Sequence, residues 1–97
     1  MSRREYDISI VFNGIRITKV IIDPHYELKH AESINDELIL EMVQTLDGLK
    51  MFPDAVNPPF SYFVESKMEF DGKFYRLVWL LEDDQIYIGI VNAHRRS

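Results

Sequence analysis

One arginine and three histidines are the residues of this sequence whose types and surroundings could do chemistry. Arg76 interrupts the apolar run KFYRLVWLL at residues 73–81, and His94-Arg95-Arg96 follows directly on a second run, QIYIGIVNA at 85–93. A cation among apolar neighbours is costly unless it is paired or wetted. Arg76 therefore either answers a nearby buried acid such as Glu65 or Glu69, or faces a cleft. Histidine changes charge near neutral pH and so moves protons, while a guanidinium offers a planar fork to oxyanions. The other two histidines, His25 and His30, sit with Lys29 in the segment HYELKHA. On a regular helix, residues five apart diverge by roughly 140°, so this pair does not grip one metal ion. The spacing of His25, His30 and His94 matches no metal motif, and the chain has no cysteine. There is also no glycine-rich phosphate loop, dinucleotide fingerprint, HExxH or calcium loop, so neither metal nor cofactor is expected.

The elements that must position these residues follow from local pattern. The runs 73–81 and 85–93 flank Glu82-Asp83-Asp84 and are rich in aromatic and β-branched residues, which predicts a β-hairpin. Both runs are apolar on both faces, so these strands belong in the middle of a sheet covered on at least one side. Residues 7–12 and 15–20 alternate around Asn13-Gly14, a hairpin signal, and Asp23-Pro24 ends the second strand and opens a short helical stretch. Residues 34–49 read as the main helix. Asn35 is its cap, Ile34 and Ile39 its staple and Gly48 its stop, while Leu38, Met42, Val43, Leu46 and Leu49 form an apolar stripe. Residues 51–59 hold three of the four prolines and read as a loop. Residues 60–70 resume an extended pattern up to the turn at Asp71-Gly72. The expectation is a single domain over 1–97, of α+β class, with helices packed on one face of a mainly antiparallel sheet in the order β-β-α-(α)-β-β-β.

At 97 residues and 46% apolar composition the chain can bury one core. It shows no signal-peptide run and nothing approaching the ~20 apolar residues that cross a bilayer, so no membrane association and a cytoplasmic location are expected. The net charge of −5 argues against coating nucleic acid by bulk attraction. Charge is nonetheless uneven. Glu27, Glu32, Asp36, Glu37, Glu41 and Asp47 lie in or near the central helical stretch, whereas Arg3-Arg4 and Arg95-Arg96 lie at the ends. That acidic helix could serve a non-catalytic interaction module that binds a basic partner.

Three segments together resemble the RelE/ParE-like toxin superfamily: Gly72-Lys73-Phe74-Tyr75-Arg76-Leu77-Val78, Asp83-Asp84-Gln85-Ile86-Tyr87-Ile88 and Ala93-His94-Arg95-Arg96. The segment His25-Tyr26-Glu27-Leu28-Lys29-His30-Ala31 is similar to the histidine-bearing first helix of the wider group of small metal-independent ribonucleases, including BrnT-like and phage-borne members. The acidic balance and the N-terminal hairpin depart from that pattern. The resemblance implies a toxin that cleaves RNA without metal or cofactor and a cognate antitoxin that blocks its site; a homo-oligomer is compatible with it. Such cleavage needs a base for the 2′-hydroxyl, cations for the phosphorane charge and an acid for the leaving 5′-oxygen. The resemblance assigns His25 or His30 to one proton transfer and His94 to the other. Arg76, Arg95 and Lys29 become the phosphate clamps. Tyr75 or Tyr87 orients or stacks on a base.

Overall fold

Asn13 and Gly14 both take positive φ, 53° and 75°, and turn strand β1, Arg4–Phe12, back as β2, Ile15–Ile22. These are the angles of the two-residue turn whose twist matches that of the flanking strands. The computed structural model describes residues 3–30 and 32–96, with the side chains of His25, Lys29 and His30 outside the described residues. After β2 the chain passes through a 3-10 turn, Pro24–Tyr26, and a single helical turn α1, Glu27–His30, to reach α2, Asp36–Gln44. Strand β3, Ala55–Asn57, is followed by a cis Pro58–Pro59 peptide and by β4, Phe60–Phe70. A second positive-φ pair, Asp71 at 53° and Gly72 at 72°, leads into β5, Lys73–Glu82, and β6, Tyr87–Arg95, completes the sheet.

The six strands form one sheet in the order β1-β2-β6-β5-β4-β3. Strand β6 lies parallel to β2, with Lys19 beside Tyr87 and Ile22 beside Ile90, and every other pairing is antiparallel. The last two long strands are therefore central, as their two-sided apolar character predicts. Register shifts interrupt the ladders between Asp7 and Ile10, between Glu65 and Met68, and between Val78 and Trp79. Such bulges bend and twist a sheet, and here the sheet curls around its own apolar side. Phe12, Phe63 and Trp79 meet inside the curl, with ring centroids 5.2 to 5.8 Å apart.

Helix α2 starts where the sequence indicates: the Asn35 side chain accepts a hydrogen bond from Leu38 N at 2.8 Å. Its Ile39, Met42 and Val43, with Leu46 just beyond it, are buried in the same core as the inward strand residues. Gly48, at φ 82°, then returns the chain to β1. There Gly48 N donates to Val11 O at 2.7 Å, Asn13 N donates to Leu49 O at 3.0 Å and Val11 N donates to Asp47 Oδ1 at 2.8 Å. These bonds cap part of an edge strand that would otherwise present unpaired backbone.

The expected α+β arrangement, helices layered on one face of a mainly antiparallel sheet, is overturned. More than half of the chain is strand, and the helical layer reduces to the nine residues of α2. A helix of that length spans about 13 Å, whereas six strands side by side span about 24 Å, so the sheet closes the core largely by curling on itself. The parallel β2–β6 pair and strand β3, inside the stretch expected to be an irregular loop, also lie outside the expected order.

Candidate functional site

Residues opposite one another in an antiparallel ladder share a face of the sheet. On β5, Tyr75, Leu77, Trp79 and Leu81 point into the core, and Arg76, Val78, Leu80 and Glu82 form the outer face, each half-buried. Strand β6 repeats that division. Arg76 stands opposite His94, Val78 opposite Asn92 and Leu80 opposite Gly89. Arg76 and His94 are therefore neighbours on the outer face, brought together by two strands whose chain directions oppose.

Arg76 makes no hydrogen bond or ion pair among the described residues. The alternative that Glu65 or Glu69 answers it is not realised, and the Glu65 carboxylate instead accepts from Lys67 N at 3.0 Å within the bulge of β4. Arg76 is thus an uncompensated, half-buried cation on a mostly apolar strand, free to take up an anion.

The remaining candidates divide. Arg95 stands opposite Tyr75, on the other side of the sheet from His94, because adjacent strand residues alternate. Tyr75 is 5% exposed and packs near Phe70 in the core, so its ring presents no surface to a nucleobase. Tyr87 is on the outer face, where its hydroxyl donates to Glu82 Oε1 at 2.6 Å. Burial first, and that bond second, push the Tyr87 phenol up to about 12. The candidates His25, Lys29 and His30 have side chains outside the described residues. The backbone of their 3-10 turn and of α1 lies against β6, the strand that carries His94.

A groove of about 470 Å³ opens on the outer face, lined by Ile21, Phe60, Tyr62, Leu80, Glu82 and Tyr87. Gly89 belongs to its wall, and a Cβ there would stand 2.9 Å from Leu80 Cδ1. No protein family, curated protein or solved structure matches this chain.

Two features escaped sequence reasoning. The first is this groove, whose walls come from four strands. The second is a polar cluster around Asp36, the first residue of α2. Its carboxylate accepts from Arg4 Nε at 2.6 Å and Arg4 Nη2 at 2.8 Å, from the Tyr26 hydroxyl at 2.7 Å and from the Tyr6 hydroxyl. Arg4 also pairs with Glu27 at 2.6 Å. In sequence, Asp36 is legible only as an acid favoured at a helix N-terminus. The cluster ties β1, the 3-10 turn, α1 and α2 together, and it fully occupies the Asp36 carboxylate. Among the described residues no helix is long and apolar enough to cross a membrane.

Proposed function

We propose that this chain is a metal-independent RNA endonuclease, acting in the cytoplasm as the toxin of a toxin–antitoxin pair. The observation that carries the reading is the placement of Arg76 opposite His94 on the outer face of the sheet. A guanidinium and an imidazole side by side supply an anion clamp and a proton carrier. In the proposed reaction the 2′-oxygen of RNA attacks the adjacent phosphorus and loses its proton to one imidazole. The charge gathered on the phosphorane is held by Arg76. The bond to the 5′-oxygen breaks as that oxygen takes a proton from a second acid, leaving a 2′,3′-cyclic phosphate and a 5′-hydroxyl. His94 serves one proton transfer. His25 or His30, on elements that lie against β6, serves the other.

Cleavage of a mixed RNA by wild type, Arg76→Ala, His94→Gln, His25→Gln and His30→Gln, each first shown to be folded by circular dichroism, tests the reading. Arg76→Ala lowers the rate about 10²–10³-fold by loss of a preorganised charge donor. Loss of a proton carrier lowers it about 10²–10⁴-fold. Folded variants that all cut as fast as wild type would remove these residues from the mechanism, and inhibition by EDTA would replace the metal-free scheme.

The competing reading, an acidic helix that docks a basic partner, has less support. Asp36 is committed to Arg4, Glu27 pairs with Arg4 and Asp47 accepts from Val11 N, which leaves Glu37 and Glu41 as the exposed acids of α2.

A further inference from the structure

The outer face carries two features at a distance from one another. Arg76 and His94 occupy one end, and the groove around Leu80 and Gly89 occupies the other. Arg76 and Leu80 are four residues apart on one strand, about 13 Å, a span that a short stretch of extended single-stranded nucleic acid covers. The two ends differ in character. Arg76 is a cation suited to a phosphate. The groove has the aromatic rings of Phe60 and Tyr62, the aliphatic side chains of Ile21 and Leu80, and an acceptor edge. That edge is Glu82, whose Oε1 is taken by the Tyr87 hydroxyl and whose Oε2 accepts no hydrogen bond among the described residues. Arg3 and Asp23, 4.0 Å apart, also line the groove and offset one another in charge, which leaves Glu82 as the uncompensated charge of the lining, and Lys19 beside it lies 3.6 Å from Asp7.

A carboxylate in this position repels a phosphate and attracts an N–H donor, while the rings and aliphatic groups suit a flat, weakly polar body. We infer that the groove receives a nucleobase bearing an exocyclic amino group, which donates to Glu82 while its ring lies against Tyr62. The inference rests on the RNA-cleaving reading of the same face and adds a base preference to it. Carboxylates accept from the amino group of cytosine, and single-stranded bases stack on aromatic side chains with their polar edges free for such bonds. Uracil, with a carbonyl where cytosine has the amino group, would set an acceptor against an acceptor.

The test uses nucleosides, which carry no phosphate and therefore do not depend on Arg76 or His94. Cytidine and uridine are titrated into the full chain, and backbone amide shifts are followed by NMR. Cytidine is expected to move the amides of Tyr62, Leu80 and Gly89 and to bind about tenfold more tightly than uridine, the size of one hydrogen bond to a charged group. Glu82→Gln should abolish that preference. Gly89→Ala should weaken both nucleosides, because its methyl group drives Leu80 into the groove. Equal affinity for the two nucleosides in wild type, or shifts that map away from the groove, would overturn the inference. So would occupation of the groove by arginine amide in place of either nucleoside, which would mark a basic peptide as the ligand. Arg76-dependent RNA cleavage without nucleoside in the groove sinks the base site alone. Cytidine in the groove of a protein that cuts no RNA upholds the base site and sinks the nuclease.

Discussion

Arg4 grips Asp36 across 32 residues of sequence, Nε to Oδ2 at 2.6 Å and Nη2 to Oδ1 at 2.8 Å. This two-pronged geometry fixes the start of α2 against the edge strand β1. The Arg4 hydrogen bonds, opposed by burial and aided by Tyr6 and Tyr26, hold the Asp36 carboxyl at about 2, below its ordinary 3.8.

Acid should therefore loosen this junction. A carboxyl whose folded pKa is depressed stabilises the fold above its unfolded value, and that stability is lost as pH falls through the folded value. The affected window runs from near pH 4 down to about 2. Partial exposure of the pair reduces the effect to about 1–2 kcal/mol. Chemical denaturation of wild type and Asp36→Asn at pH 7 and pH 2.5 checks it. The variant should be the less stable at pH 7 and should lose less on acidification, and an equal loss in both would assign the acid sensitivity to other carboxylates.

The Tyr87 phenol should ionise late. Its folded pKa is raised to about 12 by burial and by the bond to Glu82, so the contribution of that neutral hydroxyl is fully present below the ordinary value near 10 and disappears as pH rises through 12. A spectrophotometric titration should lose one high-pH phenolate step in Tyr87→Phe. Should the late absorbance be unchanged, Tyr87 would be an ordinary surface tyrosine.

Truncation of the helix-side core should separate two positions that look alike in sequence. Leu46 is 1% exposed, and Leu38 is only half-buried. Leu46→Ala should cost about 2–5 kcal/mol and Leu38→Ala clearly less. Thermal melts compare them directly, and similar midpoints would show that the two side chains are not so placed.

Tyr75 should behave as a core residue. Its ring is buried beside Leu77 and near Phe70, so Tyr75→Ala should lower the melting temperature, and Tyr75→Phe should leave the proposed RNA cleavage unchanged. A folded Tyr75→Phe protein with impaired cleavage would return the hydroxyl to the mechanism.

Tight turns, caps and strand segments were legible in the sequence because each depends on a few consecutive residues. Asn13-Gly14 and Asp71-Gly72 readily take positive φ, the Asn35 side chain reaches Leu38 N three residues on, and residues 60–70 fall within β4 as observed. Arg76 was conspicuous because a cation in an apolar strand requires a reason. The tertiary structure decided what those pieces became. Strand β6 enters the sheet between β2 and β5 and lies parallel to a strand almost seventy residues earlier, a long-range pairing invisible to any local pattern. That insertion places His94 opposite Arg76 and turns Arg95 away, because a strand alternates and a ladder fixes register. It also sets Tyr87 and Gly89 beside Leu80 and Glu82 to make the groove, and the curl of the sheet supplies the enclosure that a layer of helices was expected to give.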